Sequence, residues 1–428
     1  MYARKIPGTS VNRAPVSAVT VGVAILGSLA LSYRAIGAVP SPIVTGPIPA
    51  LATPGDPSHN YPFFSTTVDL AKVGYIEQEF FFEGTANRYN AAGAIVDGGH
   101  FYRTRMIVRR PVSSDKFNGT VLMEWQNVFA QYDLDFGWVA ASDHIIRRGY
   151  AWIGVSAQRA SGHPPLGLKV WSPTRYGALD LSDGNTIPPE VSFDVYSQGL
   201  SYDAYSQAAQ AVRSPVGIFP MGDLKVERVL ALGVSQAAIR GLSPYYNLFQ
   251  SSAGVFDGFL LVGGGGLLRT DLSTNAFKVL SETDIATGGN QAPPNRPQPN
   301  SEHFRKWEVA GAAHLDHWVQ QAVQPLQIRD GVPQIPDNPL CTLPAFSRIP
   351  YHFVLNAAID HLVRWAKDNI APSIAPEITL DAGSPTGVAR DSDCNALGGI
   401  RLSQHAVPTA VNTGVNYPGA PSACRFFG

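Results

Sequence analysis

The feature that most constrains this chain is a serine at the junction of an apolar run and a helical pattern. The run 229–232 leads into Gly-Val-Ser-Gln-Ala at 233–237, and the helical pattern continues to about residue 249. Small residues let a strand and the next helix approach closely, so the turn lifts the Ser235 hydroxyl out of the sheet. Free N–H groups at the helix start favour negative charge there. The pattern predicts a nucleophilic serine, with an ordinary strand–helix turn as the alternative.

Composition limits the classes of protein to which the chain belongs. Of 428 residues, 45% are hydrophobic and 15% are charged, and the formal net charge is −1. Charges are scattered and form no basic stripe, so we expect no nucleic-acid partner. A chain of this length buries a large core as one sizeable domain or two smaller ones.

Apolar runs typical of strands alternate along the chain with helical patterns. The alternation predicts an α/β fold with a mostly parallel central sheet and helices on both faces. We predict strands at 74–82, 102–110, 120–125, 150–155, 226–232, 258–262, 277–280 and 305–309. We predict helices at 138–148, 201–212, 238–249 and 353–370.

The N-terminus has the composition of a targeting segment. Arg4, Lys5 and Arg13 precede an uncharged apolar run at 16–31, and small residues at 35–38 suit cleavage. We therefore expect 1–38 to be the signal peptide of a secreted or cell-envelope protein. The alternative is an N-terminal membrane anchor, although the run is short for a span. No other stretch of the sequence is long and apolar enough to cross a membrane.

Three loop-rich segments surround the predicted sheet. Residues 39–63 are rich in Pro and Gly and are expected to form an arm. Residues from about 159 to 200 lack periodicity and are expected to form a lid-like insertion. Residues 371–428 return to loops and are expected to wrap over the core. The arrangement predicts one main domain over 64–428.

A nucleophilic serine on such a turn needs a base and an acid that orients it, and these follow it in the order acid, then histidine. His314 follows the predicted strand 305–309 and a turn of small residues, so we predict that it is the base; His317 is a weaker alternative. Asp284 lies just beyond the strand 277–280 and is the preferred acid. Glu282 and Asp271 are the alternative acids. All follow predicted strands, whose carboxyl ends meet at one sheet edge.

An oxyanion formed at Ser235 needs two N–H donors. One is expected from the backbone of Gln236, the residue after the nucleophile. The other is expected from the segment after the strand 120–125. Within that segment the sequence does not separate Asn127 from Val128.

Short blocks of sequence, which occur in a fixed order along the chain, resemble those of a known family. They are 74–77 (Gly-Tyr-Ile-Glu), 104–111, 117–121, 124–128 (Glu-Trp-Gln-Asn-Val), 155–158 (Val-Ser-Ala-Gln), 233–236 (Gly-Val-Ser-Gln), 281–284 (Ser-Glu-Thr-Asp), 310–314 (Ala-Gly-Ala-Ala-His) and 395–401. From about residue 46 onward the chain resembles the bacterial "alpha/beta hydrolase domain" family. The resemblance implies the α/β-hydrolase fold, with Ser235 as nucleophile and His314 as base, and no particular substrate. Ala237 departs from it, because the family often has Ser there.

The resemblance also bears on the C-terminal segment and its cysteines. Family members are expected to continue for several tens of residues beyond the position of Gly428. A truncated form of the C-terminal segment that wraps over the core is therefore an open alternative. Similar members carry Cys at the positions of Cys341 and Cys424 and usually Gly at that of Cys394. The resemblance therefore implies a Cys341–Cys424 disulfide with Cys394 free. Such a bond would close a loop of roughly 80 residues and contribute about 4 kcal/mol.

These observations predict an exported serine hydrolase that acts on a small-molecule ester or acyl substrate through an acyl-enzyme. Ser235, His314 and Asp284 are its expected triad. No metal or organic cofactor is expected. The alternatives are an acyltransferase with the same triad, in which an alcohol replaces water, and a non-catalytic binding protein on the same fold.

Overall fold

The structure, a computed structural model, describes residues 39–182, 199–286, 298–335, 346–384 and 387–415. The chain divides between residues 36 and 37, and all described residues lie after that division. Within the described ranges, ten strands form one sheet. The strands are β1 (Ile43–Thr45), β2 (Tyr75–Tyr89), β3 (Ile95–Pro111), β4 (Thr120–Trp125), β5 (Ala151–Val155), β6 (Val216–Gly217), β7 (Arg228–Val234), β8 (Gly258–Val262), β9 (Asn275–Ser281) and β10 (Phe304–Val309).

The sheet is parallel on one side and mostly antiparallel on the other. Its strand order is β10-β9-β8-β7-β4-β5-β3-β2-β1-β6. The six strands from β10 to β5 pair in parallel, whereas β3 is antiparallel to β5, β2 to β3 and β1 to β2. The carboxyl ends of β4, β7, β9 and β10 therefore meet at one edge, where such sheets place their sites.

The central strands are apolar throughout because both faces of the sheet are covered. In β4, Leu122 belongs to one apolar cluster, and Val121 and Met123 belong to the cluster on the opposite face. This alternation follows from the period of two along a strand. The helices are α1 (Phe136–Arg148), α2 (Arg159–Gly162), α3 (Leu168–Trp171), α4 (Pro173–Tyr176), α5 (Ser201–Ala211), α6 (Ser243–Leu248), α7 (Gln250–Ala253), α8 (Glu282–Ile285), α9 (His317–Arg329), α10 (Tyr351–Asp368) and α11 (Ser403–Ala406).

Two groups of helices make up the two cores. Side chains of α1, α9 and α10 pack in the cluster that contains Leu122. Side chains of α5 and α6, including Tyr205 and Tyr245, pack in the cluster that contains Val121. The predicted α/β-hydrolase fold is confirmed, with its parallel strands and helices on both faces.

The helix predicted at 238–249 is not a continuous α-helix. Residues Ala237–Leu242 form a π-helical segment and α6 follows it. Pro244 lies in the first turn of α6 and has no N–H with which to continue the α-helical pattern backwards. Gly241 packs so tightly that a Cβ there would come within 2.7 Å of the Trp125 indole. The wider turn of the π-helical segment therefore allows Gly241 to pack closely against Trp125 of β4.

The first hairpin is longer than predicted. Strands were expected at 74–82 and 102–110, but β2 and β3 extend to a turn near residue 92. The extension pairs Arg88 with Asp97 and is largely polar. It lacks the apolar alternation by which a strand is predicted from sequence.

The segments at the chain's periphery lie against the sheet. β1, in the predicted arm, adds a strand beside β2. The segment after α10 forms short bridges, and Ile400 pairs with Val309 at the end of β10.

Several predictions fall on residues outside the described ranges. These are the signal peptide at 1–38, the part of the insertion at 183–198, and Cys341 and Cys424. Cys394 is described and is an exposed free thiol. Among the helices of the described residues, none is long and apolar enough to cross a bilayer.

Candidate active site

Ser235 lies on the turn immediately after β7. Its φ is 57°, in the left-handed region that residues other than glycine rarely occupy; such strain is concentrated at functional sites. Its N–H donates to the carbonyl oxygen of Val262 at 2.8 Å, which fixes the turn against β8. Gly233 is needed for packing, since a Cβ there would come within 2.9 Å of Leu242. The turn thus presents the Ser235 hydroxyl at the carboxyl edge of the sheet.

His314 reaches Ser235 from the loop after β10. Its Nε2 lies 2.7 Å from Ser235 Oγ, and its backbone N–H donates to Thr283 Oγ1 at 3.1 Å. Gly311 has a φ of 75° and makes the turn that directs the loop toward Ser235. The structure therefore brings together the predicted nucleophile and the predicted base.

Asp284 continues this set of hydrogen bonds from the loop after β9. Its Oδ1 lies 2.7 Å from His314 Nδ1, while Oδ2 accepts from the N–H and the hydroxyl of Ser281, each at 2.8 Å. The His314 and Asp284 side chains are 8% and 1% exposed. With Nδ1–H donating to the carboxylate, Nε2 is left as an acceptor for the Ser235 hydroxyl.

The two alternative acids are engaged elsewhere. Glu282 is buried and accepts from Arg390 Nη2 at 2.6 Å and from the Gly311 N–H at 2.7 Å. It therefore joins the C-terminal segment to the loop before His314. Asp271 forms an ion pair with Arg269 at 2.5 Å, and its side chain is 63% exposed. Asp284, and not these two carboxylates, meets the imidazole.

The predicted oxyanion donors differ in what their N–H groups contact. The N–H of Asn127 donates to the carbonyl oxygen of Leu134 at 3.1 Å in a β-bridge, so it already has an acceptor in the structure. The N–H of Val128 donates to Gln236 Oε1 at 3.2 Å. That acceptor is a side-chain oxygen. The Gln236 side chain is also held by Gln158, whose Oε1 accepts from Gln236 Nε2 at 2.7 Å.

The Asn127 side chain has a different role, which sequence reasoning did not anticipate. Its Nδ2 donates to the carbonyl oxygen of Val234 at 3.0 Å, and its Oδ1 accepts from the N–H of Phe129 at 2.8 Å. Asn127 thus fastens the loop after β4 to the residue before Ser235. The N–H of Gln236 has no hydrogen-bond acceptor among the described residues, and it lies at the start of the helical segment after Ser235.

Ser235 and His314 open onto a pocket between the sheet edge and helices α1, α9 and α10, which we name the Ser235 pocket. Its volume is about 60 Å³. Most of its lining is apolar, with contributions from Phe136, Ala140, Val234, Val262, Leu315, Val319, Ile335 and Leu355. The pocket suits a small uncharged group.

Asp316 is a carboxylate of the Ser235 pocket with a perturbed proton affinity. Its Oδ1 accepts from the Val319 N–H at 2.8 Å and caps the start of α9. Burial raises the pKa of Asp316 to about 6, because a charged carboxylate loses its hydration there. Backbone N–H groups oppose this rise in pKa without cancelling it.

Replacing Asp316 by Asn is expected to stabilise the protein above pH 6 and to change little near pH 4. The pKa of Asp316 in the folded state, about 6, exceeds its ordinary value of 3.8. Ionisation therefore destabilises the folded state as pH rises from about 4 through 6. At about 1.4 kcal/mol per pKa unit the cost is about 3 kcal/mol, and Asn keeps the oxygen that caps α9. Thermal unfolding of both proteins between about pH 4 and pH 8 measures this, and parallel pH profiles would contradict it.

The sequence analysis did not identify Ser281 and Asp316 as supporting residues, although each lies in a recognisable helix-capping pattern. Ser281 and Asp284 form a capping box at the start of α8, which the pattern Ser-x-x-Asp could have revealed. Asp316 caps α9 from the position typical of an N-cap aspartate. Within the described ranges, no three histidine, cysteine or acidic side chains are grouped closely enough to hold a metal ion.

A parallel sheet in which a serine follows β7, an aspartate follows β9 and a histidine follows β10 at one edge is typical of an α/β hydrolase. The chain belongs to the family whose model is described as "Alpha/beta hydrolase domain", and that model matches residues 44–428. The resemblance found in the sequence is thereby confirmed. No curated protein matches the chain.

Solved structures similar to this chain include a lipase, a serine hydrolase and an esterase, all at low identity. Candida antarctica lipase A in its closed state is 11% identical with a TM-score of 0.26, over 47% of this chain and 41% of the lipase. An α/β serine hydrolase without a lid from Xanthomonas campestris is 12% identical with a TM-score of 0.30, over 59% of this chain and 97% of that protein. Esterase Est22 is 13% identical with a TM-score of 0.27, over 62% of this chain and 72% of the esterase. The assignment to the family rests on the family match.

Proposed function

We propose that this hydrolase is a carboxylic ester hydrolase that forms an acyl-enzyme on Ser235. The observation that carries the proposal is the hydrogen-bonded series from Ser235 Oγ to His314 Nε2 and from His314 Nδ1 to Asp284 Oδ1, with 2.7 Å at each link. Serine, imidazole and carboxylate in this order and geometry are the means by which proteins make a hydroxyl nucleophilic.

In the proposed reaction, Ser235 Oγ bonds to the ester carbonyl carbon while His314 Nε2 accepts its proton. The tetrahedral intermediate collapses, the carbon–oxygen bond to the alcohol breaks, and His314 returns the proton to the leaving oxygen. Water then enters, and its oxygen bonds to the acyl carbon while His314 takes its proton. The bond from that carbon to Ser235 Oγ breaks, His314 returns the proton to Oγ, and the carboxylic acid leaves. Asp284 holds the imidazole with Nδ1 protonated and stabilises its cation in both halves.

The oxyanion of the tetrahedral intermediate needs donors beside Ser235. The backbone N–H of Gln236 is one proposed donor, since it lies at the start of the helical segment that follows the nucleophile. The N–H of Val128 is the second proposed donor, and it becomes available when the Gln236 side chain turns away. In the structure this N–H donates to Gln236 Oε1. The proposal is that the oxyanion of the intermediate replaces this side-chain oxygen as the acceptor.

The Ser235 pocket supports a short, uncharged acyl group. Its volume of about 60 Å³ is several times the roughly 10–15 Å³ that a cavity needs to hold one water molecule. Its apolar lining disfavours a charged acyl group, because an ion there would lose its hydration without gaining a partner. Acetyl to butyryl esters therefore fit better than long-chain esters.

A panel of p-nitrophenyl esters tests the proposed substrate class. We expect kcat/KM to be highest for acetate to butyrate and to fall about tenfold or more by octanoate, because the pocket lacks room for the longer chain. Adding methanol and measuring methyl ester distinguishes hydrolysis from acyl transfer to an alcohol. A preference for octanoate would overturn the pocket argument, and methyl ester as the main product at low methanol would favour an acyltransferase.

A further inference from the structure

A second space follows the Ser235 pocket along the same two helices. The pocket lies beside the first turns of α1 and α10, where Phe136 and Tyr351 line it. The second space lies further along both helices, beside Arg147 of α1 and Asn356 of α10, and we name it the α1–α10 cleft. Its volume is about 240 Å³, compared with about 60 Å³ for the Ser235 pocket. The smaller space is therefore followed by a larger one along one pair of helices.

Among the described residues, two side chains line both spaces and so lie between them. They are Ala140 of α1 and His352 of α10. Ala140 lies one helical turn after Phe136, and His352 lies one helical turn before Asn356. The side chain of alanine ends at Cβ. Most of the side-chain volume that divides the two spaces therefore belongs to the His352 imidazole.

Aromatic neighbours hold the His352 imidazole in place. The Trp318 indole stacks on it, with ring centroids 4.6 Å apart and an angle of 20° between the planes. The Phe353 ring packs edge-on, with centroids 4.5 Å apart and an angle of 63°. Both are favoured arrangements of aromatic rings. Burial also lowers the pKa of His352, so the imidazole is uncharged near neutral pH and excludes a chain by its volume.

The α1–α10 cleft has an apolar boundary next to His352. Ala141, Trp318 and Phe353 line it, and the last two are 46% and 58% exposed. Asp143 and Arg147, which carry opposite charges, lie further along α1. A hydrocarbon chain in this part of the cleft would cover exposed aromatic surface, which is favourable. The cleft could therefore hold the tail of an acyl chain if the imidazole did not divide it from the Ser235 pocket.

We propose that His352 sets the upper limit on acyl-chain length by closing the Ser235 pocket toward the α1–α10 cleft. Short acyl groups lie on the Ser235 side of the imidazole, whereas a longer chain would need the space that the imidazole fills. Removing the imidazole joins the two spaces, so that the tail of a long acyl group lies beside Trp318 while its carbonyl stays at Ser235. This inference rests on the proposed ester hydrolysis.

The limit is measured as the ratio of kcat/KM for p-nitrophenyl octanoate to that for the butyrate. His352→Ala is expected to raise this ratio about tenfold or more, because it removes an obstacle that only the longer chain meets. His352→Phe restores a ring of similar size and should keep the wild-type ratio. Ala140→Leu adds volume on the opposite side and should lower the ratio of butyrate to acetate about tenfold.

His361→Ala controls for the loss of an imidazole from the same helix. His361 also packs against an indole, with its centroid 5.3 Å from that of Trp307, and it lies more than two turns further along α10 than His352. Its replacement should leave both ratios unchanged, even if the protein is less stable. A wild-type octanoate-to-butyrate ratio in folded His352→Ala would overturn the proposal, and so would an equal rise in His361→Ala.

A binding measurement distinguishes failure of this proposal from failure of the proposed function. Full-length Ser235→Ala, alone and combined with His352→Ala, is titrated calorimetrically with the primary alcohols butanol and octanol. We expect the added His352→Ala change to strengthen octanol binding about tenfold more than butanol binding. An equal effect on both alcohols would refute the role of His352. If octanol binding responds as expected but the wild-type protein hydrolyses no ester, only the proposed function is refuted.

Discussion

Ser235→Ala is expected to lower kcat for ester hydrolysis by about 10³-fold or more with little change in stability. The substitution removes the atom that would bond to the acyl carbon, while Asn127, Gln236 and the pocket remain. Alanine takes up the positive φ of this position with about the same strain as serine. Steady-state kinetics with p-nitrophenyl butyrate, together with thermal unfolding of the same preparation, measures both quantities.

A matched serine controls for the loss of a hydroxyl group. Ser251 is exposed on α7, and Ser251→Ala should hydrolyse the ester at the wild-type rate. A folded Ser235→Ala protein that retains wild-type kcat would show that Ser235 is not the nucleophile.

Asp284→Asn is expected to lower kcat by about 10⁴-fold. The carboxylate accepts from His314 Nδ1 on one oxygen and from Ser281 on the other. An amide has a single acceptor oxygen, so it cannot serve both partners. The imidazole then loses the acceptor that keeps Nδ1 protonated and Nε2 free to take the Ser235 proton. Steady-state kcat for p-nitrophenyl butyrate, compared with that of the wild-type protein, measures this effect.

Glu282→Gln is the matched control for Asp284→Asn, because both remove one buried negative charge from the same loop. Glu282 pairs with Arg390, and breaking a buried pair is destabilising. We therefore expect a lower melting temperature and a nearly unchanged kcat in the folded protein. If instead Glu282→Gln lost activity and Asp284→Asn kept it, the acid would be Glu282.

The sequence predicted the central strands well, because burial on both faces leaves a clear apolar run. β4 and β8 have the predicted bounds for this reason. The outer part of the β2–β3 hairpin was missed because polar residues, glycines and exposed apolar residues such as Ile95 and Val96 follow one another there without a regular alternation. The π-helical segment after Ser235 was also missed, because it depends on a contact between Gly241 and Trp125 that the local pattern does not reveal.

At the candidate site, residue types and their order after successive strands were enough to bring Ser235, Asp284 and His314 together. The donors for an oxyanion were harder to predict. Whether a backbone N–H is free depends on distant partners, as the bridge between Asn127 and Leu134 illustrates. The same is true of Asp316, whose raised pKa follows from burial in the folded protein and not from its sequence neighbours.

Covalent labelling measures whether Ser235 is an activated nucleophile. The wild-type protein is treated with a fluorophosphonate, digested, and mapped by mass spectrometry. We expect a single major adduct on the peptide that contains Ser235, with the adduct forming at the same rate as esterase activity is lost. An adduct on another residue, or full esterase activity with no labelling of Ser235, would contradict it.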